Sequence, residues 1–218
     1  MCGSRRRHAR ARPSTHGLLR AVDPPDHGRR APRGARMTPV RRRQDCGPSV
    51  LPLFQRELDD EALRAYVLAK DVVYAGGGNT ANMPAVWRVH GMDRLLREAY
   101  DRGALLCGTS AGANCWAEAS STDSFGPLVN LHGGLGLLSG SVCPHYDVEP
   151  GRRPSYRAAV ADGSLPGGWA LDDGAAALVA DGRLTETVSG AAGSHVYRVE
   201  TDGRGGVREH VVPGRPLG

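Results

Sequence analysis

Aromatic residues are scarce in this 218-residue chain, at 5%, against 40% apolar and 23% charged residues. No run of 18 apolar residues occurs, so the sequence offers no membrane-spanning helix. No charged n-region followed by an apolar h-region is found either, and a secretory leader is not expected. The five cysteines, Cys2, Cys46, Cys107, Cys115 and Cys143, are an odd number and contain no C-x-x-C pair. That excludes an obvious disulfide framework or zinc ribbon and favours a reducing, cytoplasmic setting. No metal-ligand cluster and no internal repeat are apparent, and neither a metal nor a cofactor is expected. What is present is enough chain for one domain to bury most of its apolar surface without a staple.

The charge is unevenly distributed. Residues 1–45 hold 13 of the 28 basic residues and only three acids, a net of +10. The remaining 15 basic and 20 acidic residues give the rest of the chain a net of −5. The first 45 residues contain five prolines and no aromatic residue, and their longest apolar stretch is broken by Arg20. Such a composition does not offset chain entropy, so disorder is expected and no strand is found there. A basic arm for nucleic acid is the functional alternative, but no aromatics interleave with the arginines to stack on bases, so nucleic acid is not favoured.

From residue 46 the pattern becomes that of an α/β protein. Residues 49–54 resemble a short strand, and residues 58–69 fit a helix with acids in its first turn. The apolar run Asp71–Ala75 predicts a buried strand that passes directly into Gly76-Gly77-Gly78-Asn79. A helical stretch over about 81–102, interrupted near Gly91, leads to a second apolar strand at Ala104–Cys107. Buried strands alternating with helices imply a mostly parallel sheet with flanking helices. Farther on, residues 175–188 around Asp181-Gly182, and 195–212 around a Gly-rich turn, predict two C-terminal β-hairpins.

Gly108-Thr109-Ser110-Ala111-Gly112 is a G-x-S-x-G match between a predicted strand and a predicted helix. In that context the serine sits on a sharp turn with its hydroxyl at the carboxyl end of the sheet. Ser110 is therefore the candidate nucleophile, and the Ala111 amide can donate to an oxyanion. The Gly76–Asn79 turn is the natural source of a second donor, since glycines let amides point at a ligand. Neither G-x-G-x-x-G spacing nor a Gly-Lys-Ser/Thr follows it, which disfavours nucleotide binding.

A serine nucleophile needs a base and an orienting carboxylate. His145, in Cys143-Pro-His-Tyr-Asp147, lies at the end of a short predicted strand, but spacing alone does not select it over His90 or His195. Asp173, in Asp172-Asp173-Gly174, and Asp123, in Ser-Ser-Thr-Asp-Ser-Phe, are the candidate acids. Asp147 follows His145 too closely in sequence to be preferred.

Val-Val-Tyr-Ala-Gly-Gly-Gly-Asn-Thr, Cys-Gly-Thr-Ser-Ala-Gly-Ala-Asn, Thr-Asp-Ser-Phe-Gly and Cys-Pro-His-Tyr-Asp follow one another in this order. Together, over roughly residues 45–200, they resemble the peptidase E family, the group of aspartyl dipeptidases and cyanophycinases. The resemblance implies a fold similar to class I glutamine amidotransferases, with serine in place of cysteine. It implies Ser110 as nucleophile and His145 as base, with the acid at Asp173, slightly preferred, or at Asp123. The oxyanion donors would fall on Gly78 and Ala111, and Asn79 would belong to the substrate side. An acidic substrate side chain calls for a cation, and Arg153, followed by Arg152 and Arg157, is the candidate.

The implied activity is hydrolysis of dipeptides with N-terminal aspartate, with no cofactor, no membrane and only a small peptide as partner. A cyanophycinase-like exopeptidase acting on β-aspartyl-arginine is the second enzyme reading. An inactive remnant or a basic-arm binding protein is the reading from another class. The family begins with a strand, a Gly-rich turn, a helix and a second strand, where this chain has its Arg/Pro-rich segment. The expectation is that these N-terminal strands are missing or replaced, by disorder, an altered reading frame or gene decay, leaving a catalytic domain over residues 46–218.

Overall fold

The computed structural model describes residues 16–21 and 46–217. Its first sheet consists of β1 (His16–Ala21), β2 (Cys46–Leu51), β3 (Val72–Ala75) and β4 (Leu105–Gly108), in the order β2-β1-β3-β4. Every ladder in it is parallel. Parallel neighbours need crossovers. Among the described residues, α1 (Asp60–Leu68) lies on the connection from β2 to β3, and α2 (Asn82–Val89) with α3 (Met92–Asp101) on that from β3 to β4.

The helices start and stop for local reasons. Asp59 caps α1 by accepting the Ala62 N–H at 2.8 Å, and Asp60 and Glu61 stand in its positive first turn. Such a cap stabilises a helix by about 1 kcal/mol. Gly91 adopts a left-handed conformation, φ 68°, and separates α2 from α3 at the predicted interruption. Leu63 and Val67 of α1, Trp87 of α2 and Leu96 of α3 bury against Val73 and Ala75 of β3.

The second sheet contains β5 (Ala117–Thr122), β6 (Val129–His132), β7 (Leu138–Cys143), β8 (Gly168–Leu171), β11 (Val196–Thr201) and β12 (Val207–Val212). Its order is β12-β11-β8-β7-β5-β6. The central strands β5, β7 and β8 run parallel, and the outer pairs are antiparallel. The short helix α4 (Ala111–Asn114) joins the two sheets, and Trp116 beyond it stacks on Trp87 with ring centroids 5.3 Å apart. Helix α5 (Arg152–Ala161) packs Tyr156, Ala159 and Val160 into a second core with Cys143, Ala170 and Val199. A small third sheet holds β9 (Ala175–Ala180), β10 (Arg183–Ser189) and β13 (Arg215–Pro216).

The α/β class, the predominance of parallel pairing around the site and both C-terminal hairpins agree with the sequence reading. The strands are divided among separate sheets, however, and β1 occupies a segment in which the sequence shows no strand. The reason is non-local: β1 pairs with β2 on one side and β3 on the other. That pairing satisfies its backbone on both edges regardless of its weak local pattern. The expectations of disorder, a basic arm or a foreign reading frame for the rest of residues 1–45 lie outside the described residues. No described helix is long and apolar enough to cross a membrane.

Candidate active site

The carboxyl ends of five strands converge on one region. The Gly76–Asn79 turn follows β3, Ser110 follows β4, Asp123 follows β5, His145 follows β7 and Asp173 follows β8. Open α/β sheets place their sites at such ends, where each chain leaves the sheet as a loop.

Ser110 is held in a conformation that non-glycine residues rarely adopt, with φ 54° and ψ −123°. Backbone strain of this kind costs about 1–3 kcal/mol and persists only where the surroundings fix it. Here the Thr109 N–H donates to Ala75 O at 3.2 Å, and the Asn114 N–H donates to Ser110 O at 3.1 Å. The two flanking glycines make the crossing sterically feasible. A Cβ on Gly112 would lie 2.2 Å from Ala75 O, and one on Gly108 would lie 2.5 Å from the Gly112 carbonyl. Gly77 brings the glycine turn against the serine, its Cβ direction meeting Ser110 Cβ at 3.4 Å.

Ser110 Oγ lies 2.9 Å from His145 Nε2, and His145 Nδ1 lies 2.7 Å from Asp173 Oδ1. Three of the residues singled out from the sequence are thus brought into one hydrogen-bonded chain. His145 also has a left-handed backbone, φ 57°. The segment after it is fastened to the loop that carries Asp173. The Tyr146 N–H donates to Leu171 O at 3.1 Å, and Asp147 Oδ1 accepts the Asp173 N–H at 2.9 Å. Asp172 is buried and turned the other way, accepting from the His195 N–H at 2.9 Å and the Tyr197 hydroxyl at 3.2 Å.

The remaining candidates serve other contacts. Asp123 stands 3.9 Å from Arg152 Nη2, while the carboxylate at His145 is that of Asp173. The Asn79 carboxamide accepts the Asn82 N–H and donates to Ser124 O at 2.8 Å, tying the glycine turn to the loop after β5. Arg152 is buried, donates to Ser121 O at 3.0 Å and pairs with Glu149. Arg153 and Arg157 both pair with Glu209 on β12, and Arg153 lies over the rings of Tyr146 and Tyr197.

The electrostatics separates the hydroxyl from the nearby thiols. Burial pushes Cys143 up to about 12, an effect that the Arg152 charge opposes without overcoming, and burial also raises Cys107. Both therefore stay protonated near neutral pH, which leaves them poor nucleophiles. Burial disfavours charge on Glu209, but hydrogen bonds from Tyr146, Arg157 and Arg153 outweigh it and hold the carboxyl below its ordinary value. Tyr146 in turn is raised, first by burial and then by its bond to Glu209. Among the described residues no group of three or more His, Cys, Asp or Glu side chains is placed to hold a metal ion.

Glu209 and the contact of Asp147 with Asp173 were not singled out from the sequence. Asp147 lies within the Pro-His-Tyr-Asp motif, which could have drawn notice to it. Glu209 is one alternating residue of a hairpin strand and carries no local signal.

The proteins most informative for comparison carry peptidase names. A Bacillus subtilis (strain 168) protein named "Uncharacterized peptidase YgaJ" is 47% identical over 173 residues, 79% of this chain and 71% of that protein. Peptidase E of Citrobacter koseri is 36% identical over 84 residues, which cover 38% of this chain and 37% of that one. A crystal structure of a Listeria monocytogenes EGD-e protein assigned to peptidase E is 24% identical, with a TM-score of 0.41, over 51% of this chain and 57% of that one. The model of peptidase family S51 matches residues 34–187, beginning inside the Arg/Pro-rich segment. The chain belongs to peptidase family S51, and its substrate class is a peptide.

Proposed function

We propose that this chain is a serine-type dipeptidase that hydrolyses dipeptides with N-terminal aspartate. The observation that carries the reading is the hydrogen-bonded chain from Ser110 Oγ through His145 to Asp173. His145 Nε2 takes the hydroxyl proton as Ser110 Oγ attacks the peptide carbonyl carbon. Amides of Gly78 and Ala111 serve as donors to the oxyanion. As the tetrahedral intermediate collapses the C–N bond breaks, and His145 delivers its proton to the leaving amine. Water, deprotonated by the same imidazole, then attacks the acyl ester and regenerates the serine. Asp173 keeps the Nδ1 proton on the imidazole and favours the cation that forms in each half-reaction.

The three candidate arginines each have a carboxylate partner in the protein. An acidic substrate side chain must therefore exchange with one of these partners. Arg153 suits that best: its side chain is 48% exposed, against 3% for Arg152 and 39% for Arg157. The unbridged thiols of Cys107 and Cys143 support a reducing, cytoplasmic setting for the reaction.

The test is turnover of Asp-Leu by the purified chain and by Ser110→Ala, with Leu-Leu and Glu-Leu in parallel. Cleavage of Asp-Leu alone, abolished in the variant, is the expected result. Equal cleavage of Leu-Leu would remove the aspartate specificity, and cleavage that survives Ser110→Ala would remove the serine mechanism.

A further inference from the structure

The base and the acid of the site are carried by different loops, after β7 and after β8, and nothing covalent sets their spacing. Asp173 is 53% exposed at its side chain, so packing does not immobilise it. Its Oδ1 nevertheless stands 2.7 Å from His145 Nδ1. What fixes it is a closed ring of contacts. The side chain of Asp173 meets the ring of His145, the side chain of Asp147 accepts the backbone N–H of Asp173 at 2.9 Å, and two peptide bonds return the chain from Asp147 to His145. The Tyr146 N–H, bonded to Leu171 O, closes the same two loops one step deeper.

The chemistry of this ring is unusual in one respect. Asp147 and Asp173 are both carboxylates, and like charges repel unless something intervenes. The interposed N–H lets one carboxylate hold the other residue by its backbone, while the Asp173 oxygen remains directed at the imidazole. A hydrogen bond from a backbone N–H to a carboxylate or carboxamide oxygen prefers a near-linear arrangement, and so it sets an angle as well as a distance.

We propose that Asp147 is a positioning residue that aligns Asp173 with His145 by accepting the Asp173 backbone N–H. The inference rests on the reading of Ser110, His145 and Asp173 as nucleophile, base and orienter. Asp147 need not touch substrate. It acts through Asp173, and its loss lets the acid loop drift by a fraction of an ångström. Misplacement on that scale lowers rates by about 10- to 100-fold.

Three substitutions separate this role from its rivals. Asp147→Asn keeps an acceptor oxygen in place and removes the charge. Asp147→Glu keeps the charge and displaces the oxygen by one methylene. Asp147→Ala removes both. The readout is the second-order rate of labelling by a fluorophosphonate, which reports serine activation whatever the peptide specificity, together with the thermal melt of each protein.

The expected result is near wild-type labelling for Asp147→Asn and a rate lower by about tenfold or more for Asp147→Glu and Asp147→Ala, with melts that do not follow this split. Wild-type labelling in Asp147→Glu with a loss in Asp147→Asn would overturn the proposal in favour of a charge effect. Equal rates in all three, or losses that simply track the melts, would overturn it as well. If Asp147→Ala fails to fold, the Asn and Glu pair decides. Labelling of the wild type that Ser110→Ala does not abolish would refute the underlying reading itself, an outcome distinct from all of these.

Discussion

Replacing Gly112 by alanine adds one methyl group where two backbones cross. The added Cβ would lie 2.2 Å from Ala75 O, 2.6 Å from the Ala75 carbonyl carbon and 2.6 Å from Gly76 O. Real Cβ contacts essentially never fall below 3.0 Å, so α4 and the end of β3 must separate by about 0.8 Å. All three obstructing atoms are backbone, and no side chain can swing aside to absorb the strain. Overpacking of this kind costs about 1–3 kcal/mol, or roughly 2–12 °C in Tm for a domain of this size. The displacement falls two residues from Ser110, whose Oγ stands 2.9 Å from His145 Nε2. Transmitted into that bond, it carries the pair out of hydrogen-bonding range, and serine activation should fall by about 100-fold. Fluorophosphonate labelling and a thermal melt of the same sample measure both effects. A Gly112→Ala protein that melts and labels as the wild type does would refute the claim that this glycine fixes the nucleophile's position.

Gly77→Ala should behave differently. Its Cβ would meet Ser110 Cβ at 3.4 Å and Oγ at 3.8 Å, ordinary contact distances, so the melt should hold while turnover drops by about tenfold as the methyl narrows the space beside the nucleophile. Asp173→Asn should cost about 1,000-fold or more in kcat, and Asp123→Asn far less, because only the former carboxylate meets His145; comparable losses would undo that assignment. Glu209→Gln should destabilise the protein by about 1–3 kcal/mol at neutral pH, since it weakens bonds to Tyr146, Arg153 and Arg157. The native Glu209 carboxyl is held below its ordinary value of 4.5, so its contribution is complete above that pH and fades as the pH falls through the lowered value. Melts of wild type and variant should therefore converge on acidification, and a gap that widens there would contradict the sign.

The parts of this site that are legible in the sequence are those encoded by neighbouring residues. Gly108-Thr-Ser-Ala-Gly112 announces its own turn, because the glycines needed for the crossing lie two residues on either side of the serine. The strands leading into it are short apolar runs, and the Asp181-Gly182 turn marks its hairpin. Other features depend on partners far away in the chain. Asp123 and Asp173 lie in equally plausible turns after the two strands that flank β7, and only the side-chain contact in the folded chain shows that Asp173 is the one that reaches His145. The guanidinium of Arg153 is read locally as a free cation, yet it is engaged by Glu209, 56 residues away. Strand β1 has the weakest local pattern of all and is defined by its two neighbours in the sheet.

Ser110 stands at the edge of one sheet, whereas His145 and Asp173 both belong to another. The bond between His145 and Asp173 is internal to its sheet, while the bond between Ser110 and His145 spans a seam closed by α4 and the stacked pair Trp87 and Trp116. A sliding motion along that seam would uncouple Ser110, the proposed nucleophile, from an otherwise intact pair of His145 and Asp173. On the proposed reading, activity therefore reports the alignment of the two sheets. Under gentle denaturant or pressure it should vanish ahead of the circular dichroism signal, with the secondary structure on each side of the seam still in place.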